Sequence, residues 1–308
     1  MPKIATREAY GEALAELGEE IKDIVVLDAD LSKSTKTSVF AKKFPERFFN
    51  MGIAEQNLMG TAAGLATCGK IPFASTFAVF ATGRAFEQIR NSICYPNLNV
   101  KIAASHAGIT VGEDGATHQS IEDIAIMRSL PNMTIINPAD AVEAKQAVRA
   151  AALHKGPVYL RLGRHPVETI FDEHYKFEPG KGVILRDGKD VALIATGIMV
   201  AEALKAAEIL AKGGINAMVI NIHTIKPIDK EIILQAAECG AIVTAEEHSI
   251  IGGLGSAVAE VLVEEKPVPM KRIGIRDVFG QSGKPEELLK AYGLTAEDIA
   301  EAARSLRR

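Results

Sequence analysis

The chain has 308 residues, 47% of them apolar and 24% charged, and 35 Lys and Arg stand against 39 Asp and Glu for a net charge of −4. This composition excludes a disordered chain, and the acidic balance excludes nucleic acid as a main partner. The densest apolar stretches, 71–81 and 191–201, are too short to cross a bilayer, so no membrane role is expected.

The first predicted element is a helix over Thr6–Glu20, opened by Thr6 as a cap and carrying Ala9, Ala13, Leu14 and Leu17 on one face. Short apolar runs at 24–29, 72–75, 100–105, 133–137 and 158–162 read as strands. Helical patterns lie between them, the clearest at 54–67 and 139–154. Nearly continuous apolar strands fit a parallel sheet covered on both faces, and the βαβ rhythm implies right-handed crossovers. Pro166, Pro179 and several charges then interrupt the rhythm, and this stretch reads as a linker. Strands at 190–196, 216–221, 241–246 and 270–275 follow, with helices at 199–212, 230–237, 255–263 and 296–305. The predicted fold class is therefore α/β with two domains, each a mostly parallel sheet flanked by helices. The boundaries are 1–165 for the first domain, 166–185 for the linker and 186–308 for the smaller second domain. Cys68, Cys94 and Cys239 lie far apart. They fit neither a disulfide framework nor a zinc cluster, and are expected to be small buried hydrophobes. With no apolar signal region at the N-terminus, they predict a cytoplasmic chain.

Four polar segments fall where loops should follow strands of the first domain, the place where open α/β sheets put ligands. Asp28 to Thr35 places Asp30 and Ser34 at the sheet edge, where capping and turn formation is the plainer role. Glu55 falls in the first turn of a helix rich in small and apolar residues. A carboxylate there favours the helix dipole, and partial desolvation would raise its pKa and suit it to hold a proton. Phe77 and Phe80 are three residues apart, as core residues or as a platform for a flat ring. Between His106 and Gln119, two histidines, Glu113 and Asp114 stand among glycines. The spacing is not that of a zinc site; it suits a pocket that handles protons and binds hydroxyls. Asp114 would orient a substrate hydroxyl or a histidine. In the second half, the glycines at 252–255 read as a strand-to-helix turn, and Glu246, Glu247 and His248 as a capped strand end.

GIAEQN at 52–57, GEDGATHQSIED at 112–123 and RSLPN at 128–132 together resemble the transketolase family of thiamine diphosphate enzymes. The resemblance covers essentially the whole chain, as the family's pyrimidine-binding domain followed by its C-terminal domain. It implies that Glu55 hydrogen-bonds the aminopyrimidine ring of thiamine diphosphate and drives its tautomeric shift, with a pKa raised by an apolar surround. It implies that Phe77 and Phe80 pack around that ring and that Asp30 lies close to the cofactor. His106, Asp114 and His118 match groups that orient sugar hydroxyls and assist proton transfer. Arg7, Ser34 and Arg164 match positions that bind the phosphate of a sugar phosphate. The family often has a tyrosine where this chain has Gly83, a departure that leaves Phe86 or another side chain to fill the gap.

The family holds the diphosphate through Mg²⁺ with a Gly-Asp-Gly motif and a downstream Asn. Neither 112–115 nor Arg186-Asp-Gly supplies it. The resemblance thus implies a split transketolase. The Mg²⁺ ligands are expected on an N-terminal partner subunit, and the assembly is expected to be an α2β2 heterotetramer acting on sugar phosphates. Two alternatives keep the fold: the beta subunit of a 2-oxo-acid dehydrogenase, which normally lacks the paired histidines, and a deoxyxylulose phosphate synthase-like enzyme, whose signature has a histidine where Gln119 stands. A non-catalytic regulatory subunit is a third.

Overall fold

A computed structural model describes residues 3–306. Helix α1 (Thr6–Glu20) leads into β1 (Ile24–Asp28), and two short helices, α2 (Ser32–Thr35) and α3 (Ser38–Lys43), precede β2 (Phe48–Asn50). Helix α4 (Glu55–Thr67) returns to β3 (Ile71–Phe77). The chain then runs through wide turns at Phe80–Arg84 and Ile89–Cys94 on either side of α5 (Phe86–Gln88). Strand β4 (Lys101–Ser105) opens into a loop with a tight 3₁₀ segment at Ile109–Asp114. Then come α6 (Asp123–Arg128), β5 (Thr134–Ile136), α7 (Ala141–Leu153) and β6 (Val158–Arg161). The second half runs β7 (Val183–Arg186), β8 (Val191–Ala195), α8 (Met199–Lys212), β9 (Ala217–Asn221), β10 (Thr224–Lys226) and α9 (Lys230–Ala237). It ends with β11 (Ile242–Ser249), α10 (Leu254–Glu265), β12 (Met270–Ile275), α11 (Pro285–Ala291) and α12 (Ala296–Ser305).

Seven strands form the first sheet in the order β10-β5-β6-β4-β3-β1-β2, and five form the second in the order β12-β11-β8-β9-β7. All neighbours are parallel except β10 against β5 and β7 against β9. Every residue of β1, β4, β8 and β9 is buried, as expected for strands with helices on both faces. The one lysine among them, Lys101, donates its Nζ to Asn99 Oδ1 and to the carbonyls of His154 and Gly156, and burial lowers its pKa to about 7. Cys94 is buried and Cys239 half-buried, but Cys68 is exposed just past the end of α4, against the expectation of a buried thiol. Among the described residues, no helix is long and apolar enough to cross a membrane.

Several elements depart from the sequence pattern. Thr6 is the first helical residue rather than a cap. Its hydroxyl accepts the Gly163 N–H at 2.8 Å, tying the start of α1 to the end of β6. Strand β7 begins inside the stretch read as a linker, and β10, from the second half, completes the edge of the first sheet. Buried polar contacts join the two halves. Asn137 Nδ2 donates to Thr196 Oγ1, and the Asp140 carboxylate, which caps α7, also accepts from Ile170 N and Phe171 N. Glu143 accepts from Tyr175 Oη and from Asn221 Nδ2.

Candidate active site

The carboxyl ends of β1, β3, β4 and β6 lie side by side at one edge of the sheet. Strand β3 delivers Thr76 and Phe77, the wide turn that follows delivers Phe80 and Arg84, and β4 ends at Ser105 beside His106. Helix α4 starts at the same edge and presents Glu55 in its first turn, where the helix dipole favours a carboxylate. Glu55 is only 1% exposed. Its Oε1 accepts from Thr76 Oγ1 at 3.3 Å and its Oε2 from Arg84 Nη1 at 2.8 Å. The surround is therefore not purely apolar: a cation that the sequence reading left out is paired with the acid.

Phe77 and Phe80 stack at 5.8 Å between centroids, with 16° between their planes. His106 lies against the first ring at 3.7 Å. His118 meets both phenylalanines edge-on, at 6.3 and 5.4 Å. The Arg84 guanidinium sits 4.6 Å from the Phe80 centroid. A methyl group added at Gly83 would meet nothing; Arg84 lies over Phe80, and Phe86 packs against the hydrophobic core.

Arg7, from the first turn of α1, donates to the Ser34 carbonyl at 2.9 Å and to His106 Nε2 at 3.2 Å. With Nε2 accepting, the ring proton belongs on Nδ1, which donates to Ser105 Oγ at 2.9 Å. Burial first, then the charges of Arg7 and Arg164, lower the His106 pKa to about 3, so the ring is neutral at physiological pH. Arg7 itself is pushed below its ordinary value by burial and by the charge of Arg164, and its Nε is buried without a partner among the described residues. Arg164 donates to the Val111 carbonyl at 2.6 Å and to Asp114 Oδ2 at 3.2 Å. Two guanidinium groups close enough to repel, one with a spare donor, form a seat for an anion.

Arg84 thus links Glu55 to Phe80, and contacts run on through Phe77, His118 and His106 to Arg7, while the Arg164–Asp114 pair lies close enough for the Arg164 charge to act on Arg7 and His106. Asp114 meets Arg164 rather than a histidine. Ser34 meets Arg7 through its carbonyl, not its hydroxyl. Asp30 is exposed at the end of β1, in a left-handed conformation (φ 64°), and accepts from Asn50 Nδ2 at 2.9 Å. The buried aspartate of that turn is Asp28, which accepts from Leu31 N, Thr35 Oγ1 and Thr37 Oγ1. Sequence reasoning missed Arg84, Thr76 and Ser105. Only Arg84 had a signal, as a cation directly after the anomalous Gly83.

A buried acid beside an aromatic platform, with two arginines near a neutral histidine, makes this strand-end cluster the candidate ligand site of an α/β protein. Residues 2–168 match the transketolase pyrimidine binding domain and residues 180–299 the transketolase C-terminal domain. The transketolase C-terminal section of Methanocaldococcus jannaschii is 59% identical over 96% of this chain and 93% of its own length. A 6-deoxy-6-sulfo-D-fructose transketolase subunit of a Clostridium species is 48% identical over 96% and 92%. A solved split-gene transketolase, described as an inactive beta4 tetramer, superposes with a TM-score of 0.93 at 63% identity, covering 99% of this chain and all of that one. The chain belongs to the transketolase family and is the C-terminal subunit of a transketolase.

Proposed function

We propose that this subunit, assembled with an N-terminal partner, transfers a two-carbon ketol unit from a ketose phosphate to an aldose phosphate, using thiamine diphosphate. The carrying observation is the Arg84 guanidinium, a flat set of N–H donors that bonds Glu55 while lying over Phe80. That is the seat an aminopyrimidine needs, a carboxyl group for its ring nitrogen and an aromatic face beside it. Arg84 is half exposed and free to swing out when the ring enters. Thiamine diphosphate supplies a nucleophilic carbon that carries the two-carbon fragment between sugars. Glu55 holds the ring nitrogen, and Phe77 and Phe80 fix the ring plane. Neutral His106 brings no charge, and its Nε2 accepts from a sugar hydroxyl once Arg7 turns to the phosphate, with His118 beside it. Arg7 and Arg164 take the phosphate, which relieves their mutual repulsion and uses the spare Nε of Arg7. Asp114 stays with Arg164 and steadies it.

The same reading assigns Mg²⁺ and the diphosphate to the partner, through its Gly-Asp-Gly and downstream Asn, within a cytoplasmic α2β2 heterotetramer. The face of α4 supports a partner there. Gly60 and Gly64 are exposed in the helix interior, where a side chain would meet nothing, and Ile53, just before the helix, is 78% exposed. Two interior glycines cost a helix about 1 kcal/mol each, a loss that close packing against a second chain offsets.

The test is to purify the chain with its co-purifying partner and supply thiamine diphosphate, Mg²⁺, a ketose phosphate and an aldose phosphate. Ketol transfer supports the reading. Consumption of pyruvate or another 2-oxo acid in place of the ketose phosphate moves the assignment to a 2-oxo-acid dehydrogenase or deoxyxylulose phosphate synthase type of reaction. A strong preference for a 6-sulfo ketose over the phosphate would change the anion that Arg7 and Arg164 receive. A pair that binds the cofactor and turns over no sugar is the regulatory subunit.

A further inference from the structure

The C-terminal half reaches into the loop that carries the sugar-site residues. Glu247 lies in β11, and its Oε1 accepts the backbone N–H of Thr110 at 2.6 Å. Thr110 stands between His106 and Asp114, in the tight segment after β4. The loop closes directly onto the carboxylate. Gly108 has φ +82°, and a Cβ there would fall 2.2 Å from the Glu247 carboxyl carbon. No side chain other than hydrogen fits that approach.

Glu247 is itself held from behind. Its carbonyl accepts from Arg161 Nη2 at 3.0 Å, and Arg161 is fixed by a two-point ion pair with buried Asp123 at 2.8 and 3.2 Å. Its neighbours in β11 are tied down as well, since Ser249 N donates to the Ile121 carbonyl at 2.7 Å and His248 Nε2 accepts from Ala125 N. The far end of the loop has a second tie. Gln119 Nε2 donates to the carbonyls of Ile109 and Gln281 at 3.1 and 3.0 Å, bridging the loop to the C-terminal half.

We propose that Glu247 is a positioning residue for sugar recognition: by gripping Thr110 N–H it fixes the loop on which His106 and Asp114 stand, so that the C-terminal domain sets the geometry of the sugar site. This role rests on the ketol-transfer reading above. Glu247 touches no reacting group; it acts through the backbone of the loop. Losing the grip leaves the Thr110 N–H and the space at Gly108 unfilled while the pyrimidine seat at Glu55, Phe77 and Phe80 keeps all its contacts.

The experiment compares wild type, Glu247→Ala and Glu247→Gln, each assembled with the N-terminal partner, by three readouts: backbone amide exchange over 108–114, KM for a ketose phosphate, and thiamine diphosphate affinity by calorimetry. In Glu247→Ala, exchange at Thr110 speeds up and KM rises about tenfold, the scale of one lost charge-assisted hydrogen bond, while cofactor affinity stays unchanged. Glu247→Gln keeps an acceptor oxygen in place and recovers most of the loss. A KM within twofold of wild type in the alanine variant overturns the proposal, and so does a parallel loss of cofactor affinity, which marks a general loss of packing. An inactive wild-type pair removes both this role and the function reading, whereas an active pair with unchanged KM removes this role alone.

Discussion

Arg84 donates to Glu55 Oε2 at 2.8 Å while its guanidinium lies 4.6 Å from the centre of the Phe80 ring, so one flat cation both satisfies the buried acid and covers the aromatic face. On the proposed function, an incoming aminopyrimidine displaces it. Replacing Arg84 by Ala removes the competitor and leaves Glu55 without its cation in the free chain. The expected outcome is a several-fold tighter apparent affinity of the assembled pair for thiamine diphosphate. The free chain should lose roughly 1–2 kcal/mol of stability, the usual cost of stripping a buried acceptor of its partner. Calorimetry and urea unfolding read the two effects. Unchanged or weaker cofactor binding would show that Arg84 does not occupy the seat.

Glu55→Gln separates shape from proton handling at the same position. The amide fills the same space and still meets Thr76, but it cannot pass a proton to a ring nitrogen. Turnover of the assembled pair should fall at least about 100-fold, the scale of a lost acid–base group, with the thermal midpoint close to wild type. Retained turnover with the glutamine in place would remove Glu55 from the chemistry.

The sheet strands were legible because strands buried on both faces are almost purely apolar, and IVVLD and KIAAS differ from helices by length and by their flanks. Strands β2, β7 and β10 were not: β2 and β10 are three residues long and carry no period, β7 is a half-buried edge strand that begins in the stretch read as a linker, and the pairing of β10 with β5 is set by tertiary packing alone. In the site, Glu55, Phe77, Phe80 and the two histidines were legible from resemblance and from titratable groups set among glycines. The Arg84 contact and the grip of Glu247 were not. Each joins residues 29 and 137 positions apart, and nothing local in the sequence announces such a pairing.

His106 shows how burial fixes a charge state. Its pKa in the fold is about 3, against an ordinary 6.5. The folded state therefore binds fewer protons than the unfolded chain between these values. Stability from this group is complete above pH 6.5 and drains away as pH falls toward 3, by up to about 1.4 kcal/mol per pH unit. His223, lowered to about 4 by burial, acts in the same direction. The stability difference between wild type and His106→Asn should hence shrink as pH drops from 6.5 to 4, with the His223 contribution present in both. A difference that stays constant over that window would mean the imidazole is not held neutral.

Glu143 has the opposite sign. Burial raises its carboxyl to about 7, although Tyr175 Oη, Ala139 N and Asn221 Nδ2 all donate to it. The folded state thus holds a proton that the unfolded chain gives up near pH 4.5. The contribution is full below pH 4.5 and is lost as pH rises through 7, to a limit of about 3 kcal/mol. Because Tyr175 and Asn221 come from beyond β6, the loss falls on the joint between the two halves. Wild type should lose more stability than Glu143→Gln between pH 5 and 8.5 in urea unfolding. Parallel curves for the two proteins would place the titration elsewhere.

The exposed glycines of α4 give a test of assembly that leaves the fold intact. Gly60 and Gly64 have ordinary helical backbone and no neighbour where a side chain would go. Replacement by Ala should stabilise the free chain by up to about 1 kcal/mol each, through helix propensity and a less flexible unfolded state. Replacement by Leu leaves the free chain equally well folded but places a bulky side chain where the proposed second chain would approach. The Gly60→Leu and Gly64→Leu chains should bind the N-terminal subunit at least about tenfold more weakly, a cost of about 1.4 kcal/mol in binding free energy. Thermal unfolding of the free chain and a binding titration with the partner separate the two effects. Normal binding by both leucine variants would show that this face of α4 points to solvent in the assembly, and the partner surface would have to be sought on the other side of the candidate site.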